Sequence, residues 1–205
     1  MRVLGLDEAG RGCVLGPLVV GGFCPAVSDA ALGSLGVTDS KALSPAKRRA
    51  IAAALPTMGT GALRFLSPAQ IDAGNVNALE EDAFVDLIAS FAPDRVLLDA
   101  PVQPRGIPAL VRRLEAALRA RGAAVPEIIA EPKADLHHRP VGAASILAKV
   151  ARDAEIAALG PVGSGYPSDP VTVAWLQGFV DRGEPWPACV RQRWGTSRRM
   201  RALAP

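Results

Sequence analysis

A chain of 205 residues, 49% hydrophobic and 21% charged, carries enough apolar surface for one well-packed domain, which excludes both a large multidomain machine and a disordered segment. Its net charge of +3 permits a polyanionic partner without requiring one, and no apolar run approaches the roughly 18–20 residues that cross a bilayer, so membrane function is not expected. Three cysteines (Cys13, Cys24 and Cys189) without metal-ligand spacing, and an opening RVLGLD where a secretory signal would stand, predict a cytoplasmic protein.

Arg2 to Asp7 reads as a short apolar strand and Pro17 to Phe23 as a second, with Gly10, Gly12 and Gly16 forming a glycine-rich turn between them. Asp39-Ser40-Lys41 falls in a loop, after which Ser44-Pro45 supplies an N-cap and a first-turn proline for a helix to about Leu55. Residues 61–67 form a further strand. Asn77, with Glu80 three residues on, has the form of a capping box, and Leu79, Ala83, Phe84, Leu87, Ile88 and Phe91 recur behind it at helical spacing. Arg95 to Leu98 is a short apolar strand ending in Asp99. Ile107, Leu110, Val111, Leu114, Ala117 and Leu118 mark the next helix, a strand-helix order that predicts a parallel crossover. Glu127 to Ala130 adds a strand, residues 142–159 a long Ala-rich helix, and Asp169-Pro170 caps a helix to about Asp181. The pattern predicts an α/β core over 1–159 and a helical C-terminal portion over 160–205.

The chemistry points to the acids. Asp7 and Asp99 each end an apolar strand, Glu8 follows Asp7, and Asp135 lies five residues past the last core strand. In a regular strand Asp7 and Glu8 face opposite sides, so both serve one site only if the strand ends there. Clustered carboxylates raise each other's pKa unless cations neutralise them, and hard oxygen donors without His or Cys favour Mg²⁺ or Mn²⁺. Two such ions about 3.5–4 Å apart suit phosphodiester cleavage.

Asp7-Glu8-Ala9-Gly10-Arg11-Gly12 followed by Gly16-Pro17 resembles the opening signature of type 2 ribonucleases H, called ribonuclease HII in prokaryotes. Further blocks keep the order: Asp39-Ser40-Lys41, LLDA over 97–100, Lys133-Ala134-Asp135, AASILAKV over 143–150 with Arg152-Asp153, and GSGYPSD over 163–169. The resemblance runs from about residue 3 to Trp194, in an archaeal-like motif style. It implies a ribonuclease H-like mixed sheet flanked by helices, and cleavage of RNA, or of a single ribonucleotide, within duplex DNA. By motif, Asp7, Glu8, Asp99 and Asp135 correspond to four metal-binding catalytic carboxylates holding two Mg²⁺ or Mn²⁺ ions. Gly10, Arg11 and Gly12 correspond to a loop whose backbone contacts the ribonucleotide 2′-OH, and Tyr166 to a tyrosine at the RNA–DNA junction. Cys13 stands where proline is common in that family.

The chain has 19 Arg and four Lys, yet Lys41, Lys133 and Lys149 all fall in these blocks, as phosphate contacts would require. Ser145 either donates to a phosphate or lets its helix approach the sheet. His137-His138 is read as a loop feature and not a zinc site. Residues 182–205 hold six arginines (Arg182, Arg191, Arg193, Arg198, Arg199 and Arg201) against Glu184, a basic end that either faces phosphates or is solvated; Trp186 and Trp194 among them are expected in the core. No GxxxxGK, HExxH or GxSxG occurs, which removes support for nucleotide-cofactor chemistry and for a phosphotransferase.

The sequence therefore predicts a metal-dependent endonuclease cutting on the 5′ side of a ribonucleotide in RNA/DNA hybrids or in duplex DNA with embedded ribonucleotides. The alternative is a non-catalytic duplex-binding module, which would lack at least one carboxylate. The C-terminal sequence shows no sliding-clamp peptide, so a clamp partner is unsupported and a monomer expected.

Overall fold

The computed structural model describes residues 1–38 and 40–202, without the side chains of Lys41 and Arg201. The expected phosphate contact of Lys41, and Asp39 before it, therefore lie outside the described residues. Five strands form one sheet: β1 (Val3–Ala9), β2 (Leu18–Pro25), β3 (Gly59–Leu66), β4 (Arg95–Asp99) and β5 (Glu127–Glu131). Their order is β3-β2-β1-β4-β5, with β1, β4 and β5 parallel and β2 and β3 antiparallel to their neighbours. All five correspond to expected strands, and the mixed sheet is the expected fold class.

The helices are α1 (Asp29–Leu35), α2 (Pro45–Ala54), α3 (Pro68–Ala73), α4 (Val76–Phe91), α5 (Ile107–Ala120), α6 (Ala134–His137), α7 (Arg139–Ala157), α8 (Pro170–Asp181) and α9 (Gly195–Ala202). Ser44 and Asp169 cap α2 and α8 as expected. The Asn77–Glu80 capping box is overturned: the N-cap of α4 is Asn75, whose side chain accepts from the amides of Asn77 and Ala78, and Glu80 is turned inward. Helix α7 starts three residues earlier than expected because Pro140 sits in its first turn, where a missing N–H costs no bond.

One face of the sheet buries Leu4, Leu6, Leu18, Val20 and Leu98 against Phe84, Leu87 and Ile88 of α4 and Leu110, Leu114 and Leu118 of α5. Each such side chain contributes about 1.5–3 kcal/mol on burial. The opposite face is covered by α7, whose inner surface is built of small residues: Gly142, Ala143, Ala144, Ser145 and Ala148. Opposite them, β1 and β2 present Gly5 and Gly21. A Cβ on Gly5 would stand 2.1 Å from the Pro140 carbonyl carbon, and one on Gly21 2.5 Å from the Ala144 oxygen. This close approach delivers Ser145 to the end of β1. Gly5→Ala is accordingly expected to destabilise the fold by about 3 kcal/mol, the upper end for overpacking, because the obstacle is backbone. Urea unfolding would show it as a lower midpoint at unchanged slope.

Residues after 159 pack Val162, Leu176, Trp186 and Val190 against Val14, Leu15 and Ile156, with Trp194 at the margin. Trp186 is buried, and its indole N–H donates to the Leu176 carbonyl at 3.0 Å, as a core tryptophan requires.

Candidate active site

Asp7 and Glu8 both lie inside β1, which continues to Ala9 in register with Val19 of β2. The expectation that the strand ends at these acids is overturned, and the pleat separates them. Leu4, Leu6 and Glu8 share the α4 face, whereas Gly5 and Asp7 face α7. They still line one cavity because pairing of β1 with β4 stops at Leu6–Leu98, so the edge of β1 beyond Leu6 is open. Asp99 ends β4 one step past that last pair. The cavity encloses about 570 Å³ and is walled by Asp7, Glu8, Asp99, residues 9–12, Ser40, Arg48, Ser145, Lys149 and Tyr166.

Asp7 is buried, its Oδ1 accepting from the Glu8 amide at 2.7 Å and its carboxyl group hydrogen-bonded to Ser145. Ser145 is in turn 2.9 Å from the Ser40 hydroxyl, and the Ser40 carbonyl accepts from Arg48 Nη1 at 2.5 Å. Burial, and then repulsion from Glu8, push the Asp7 carboxyl well above its usual range. Burial, followed by the charges of Glu80 and Asp99, pushes Glu8 up to about 8. Asp99 Oδ1 accepts from the Ala134 amide at 3.1 Å. Asp135, next in sequence, is buried in the first turn of α6 but does not line the cavity.

Among the described residues no three His, Cys, Asp or Glu side chains are closed tightly enough to hold a metal ion as they stand. The donor set nonetheless fits a hard divalent cation. It is all carboxylate oxygen, Glu8 Oε2 is buried without a hydrogen-bond partner, and a cation would relieve the repulsion that raises both acids.

The opposite wall is the loop between β1 and β2. Gly10 has φ +88°, and a Cβ there would lie 2.9 Å from the Pro17 carbonyl oxygen, so glycine is required. A Cβ on Gly12 would meet nothing within 4 Å, and Gly12 is exposed where it lines the cavity. The Arg11 guanidinium leaves this loop to bond Asn77 Oδ1 and to pair with buried Glu80 Oε2 at 3.2 Å. Burial pushes Glu80 up to about 7, with Arg11 opposing that rise.

Tyr166 stands between Gly165 and Pro167 on the loop before α8 and caps a cationic wall. Its ring lies 4.8 Å from the Arg152 guanidinium and 5.6 Å from Lys149 Nζ. Burial pushes its hydroxyl up to about 12, and Cys13 is its hydrogen-bond partner. Buried Arg152 reaches Cys13 Sγ at 2.8 Å and Asp153 at 3.1 Å, and Lys149 holds the same Asp153 oxygen at 2.7 Å.

The structure thus gathers Asp7, Glu8, Asp99, Gly10, Arg11, Gly12, Ser145, Lys149 and Tyr166 around one cavity and leaves Asp135 just outside its lining. His137 Nδ1 and His138 Nε2 both contact Glu131 Oε1, at 2.9 and 3.0 Å; where a loop was expected, His137 ends the short helix α6 and His138 follows it directly. Sequence reasoning gave no site role to Arg48, Glu80, Arg152 or Arg191, all buried. By sequence Arg191 belongs to the basic end. Instead Arg191 is withdrawn from solvent and bonds the main chain of the glycine loop, while Arg193, Arg198 and Arg199 remain exposed.

A family model described as Ribonuclease HII matches residues 4–197. The ribonuclease HII of Methanothermobacter thermautotrophicus is 40% identical over 210 residues, covering 96% of this chain and 97% of that protein. The crystal structure of the ribonuclease H2 from Pyrococcus horikoshii superposes with a TM-score of 0.86 at 37% identity, covering 98% of each chain. The ribonuclease HII solved with PCNA from Archaeoglobus fulgidus gives 0.84 at 36% identity and 95% of each chain.

Proposed function

The chain belongs to the ribonuclease HII family, ribonuclease H endonucleases that act on RNA/DNA, and from that premise we propose that it cuts the phosphodiester on the 5′ side of a ribonucleotide, in hybrids or in duplex DNA, leaving 3′-hydroxyl and 5′-phosphate ends. The observation that carries this reading is the placement of buried Asp7 and partly buried Glu8 and Asp99 around one 570 Å³ cavity that Gly10, Arg11 and Gly12 also line.

Asp7, Glu8, Asp99 and Asp135 would hold two divalent ions, Mg²⁺ or Mn²⁺. When bound, these supply activation of water and offset charge on the phosphate in the transition state. The residues of the chain do the positioning. Ser145, bonded to Asp7, fixes that carboxyl group against α7. The main chain at Gly10, Arg11 and Gly12 reads the 2′-OH, which alone tells RNA from DNA at one position. Lys149 contacts a phosphate, and Tyr166 packs on the sugar beside the scissile bond. Lys41 is retained in this reading as a phosphate contact on its sequence motif. A relative's complex with PCNA keeps a sliding clamp among the partners to test for this chain.

The test is cleavage of an end-labelled DNA duplex carrying one ribonucleotide, with and without Mg²⁺ or Mn²⁺, beside an all-DNA control. Metal-dependent cutting at the ribonucleotide, with a 3′-hydroxyl that a polymerase extends, is the expected result. Tight binding without cutting in either metal would instead establish the duplex-binding alternative.

Affinity for that duplex is expected to fall as salt rises, through counterion release. The exposed Arg198 lines a surface hollow with Arg193 and Trp194, and exposed Arg199 follows it in α9. Replacing both with Gln should reduce the slope of log affinity against log salt by about one to two. An unchanged slope would return them to ordinary solvated residues.

A further inference from the structure

The loop assigned above to reading the ribonucleotide is held by one buried side chain from the other end of the sequence. Arg191 directs Nη2 at the Gly10 carbonyl (2.8 Å), Nη1 at the Arg11 carbonyl (3.0 Å) and Nε at the Gly16 carbonyl (3.0 Å). Its own backbone extends the tie: the Arg191 amide donates to the Val14 carbonyl, and the Gly16 amide to the Cys189 carbonyl. Taking a guanidinium fully out of water is costly unless every donor finds a well-placed acceptor. Here the acceptors are main-chain carbonyls of one loop.

The geometry of a planar trans peptide makes this arrangement directional. The carbonyl of residue i and the N–H of residue i+1 point in opposite directions. With the Gly10 and Arg11 carbonyls turned towards Arg191, the N–H groups of Arg11 and Gly12 are turned away from it. Gly10, Arg11 and Gly12 line the cavity, and Arg191 does not. The Arg11 side chain is anchored separately on Asn77 and Glu80 of α4, so the loop is fixed on both flanks.

We propose that Arg191 is the positioning residue for ribonucleotide recognition: by holding the carbonyls of Gly10 and Arg11 it presents two consecutive main-chain N–H groups to the 2′-OH and adjoining phosphate of the substrate. This rests on the ribonuclease reading for its ligand, while the clamp on the loop stands on the contacts themselves. Arg191 touches no reacting atom. It sets specificity by orienting peptide planes, so its loss should weaken discrimination more than general duplex binding.

The test uses the full chain with Arg191→Met, which keeps the volume without the donors, and Arg191→Lys, which keeps the charge but not the planar fork. Hydrogen exchange in the ligand-free protein is expected to rise at least about tenfold for amides of residues 10–16 in Arg191→Met, with β1 and β4 amides unchanged. With Ca²⁺ in place of Mg²⁺, the wild type should bind a single-ribonucleotide duplex more tightly than its all-DNA counterpart. That ratio should fall towards one in Arg191→Met while affinity for the all-DNA duplex stays within about twofold, and single-turnover cleavage in Mg²⁺ should fall about 100-fold. Arg191→Lys should lie between. Unchanged exchange and an unchanged ratio in Arg191→Met would overturn the proposal, as would an equal loss of affinity for both duplexes. If Arg191→Met does not fold, the same comparisons on Arg191→Lys decide. A wild type that neither prefers nor cuts the ribonucleotide duplex would overturn the ribonuclease reading, and the exchange data would still decide whether Arg191 clamps the loop.

Discussion

Asp7→Asn and Asp99→Asn are each expected to lower single-turnover cleavage of a single-ribonucleotide duplex by at least about 10³-fold, the scale of losing a charge aimed at the transition state. Asparagine keeps the size of the side chain and removes its negative charge. At Asp7 the bonds to the Glu8 amide and to Ser145 can still form through the amide oxygen. The fold should therefore survive: a buried, mutually repelling carboxylate is replaced by a neutral group, and the melting temperature should stay equal or rise by a few degrees. Duplex affinity should change little, because the cationic side chains and the glycine loop are untouched. The measurement is the single-turnover rate at saturating Mg²⁺ together with the melting temperature on one preparation. Near-normal cleavage by either variant would remove that residue from the proposed ligand set.

Tyr166→Ala is expected to slow single-turnover cleavage at an embedded ribonucleotide by about 10- to 100-fold, since small misplacements of a reacting phosphate cost rate steeply. The ring is half-buried, stacked near Arg152 and Lys149 with its hydroxyl on Cys13, and it lines the cavity. Removing it should also cost about 1–2 kcal/mol of stability through the lost cation–π and packing contacts. Tyr166→Phe keeps the stack and loses only the Cys13 bond, so its rate should fall by about threefold at most. Rates are to be corrected for the folded fraction. A wild-type rate per folded molecule in the alanine variant would reduce Tyr166 to a packing residue.

The strands were legible because apolar runs of five to eight residues are bounded by glycine, proline or acid, and β1 and β4 each carry an acid where the apolar run stops. Asp7, Glu8 and Asp99 could be found from that pattern, and the glycine loop from its composition. The short helices α1, α3 and α6, of seven, six and four residues, give too few turns to show a period. Misreading Asn77 as a cap has a physical reason: Asn75 does the capping, and Asn77 with Glu80 is committed to Arg11, a partner 66 residues away in the case of Asn77. The same holds for Arg152, whose partner Cys13 is 139 residues away, and for Arg191. Charged residues read as solvated unless their partners are known, and partners on distant segments leave no local spacing to read.

The tie between Arg191 and Gly10 spans 181 residues, and that separation orders events at the ribosome. Residues 3–131, which contain all five strands, are made before the segment that fastens the glycine loop. Translation proceeds at about 5–20 residues per second, so the roughly 60 residues between β5 and Arg191 impose a delay of about 3–12 seconds. During that interval the nascent chain carries Asp7, Glu8 and Asp99 while the loop of residues 10–16 lacks its Arg191 tie. On the proposed reading, competence to recognise a ribonucleotide is the last property that synthesis confers.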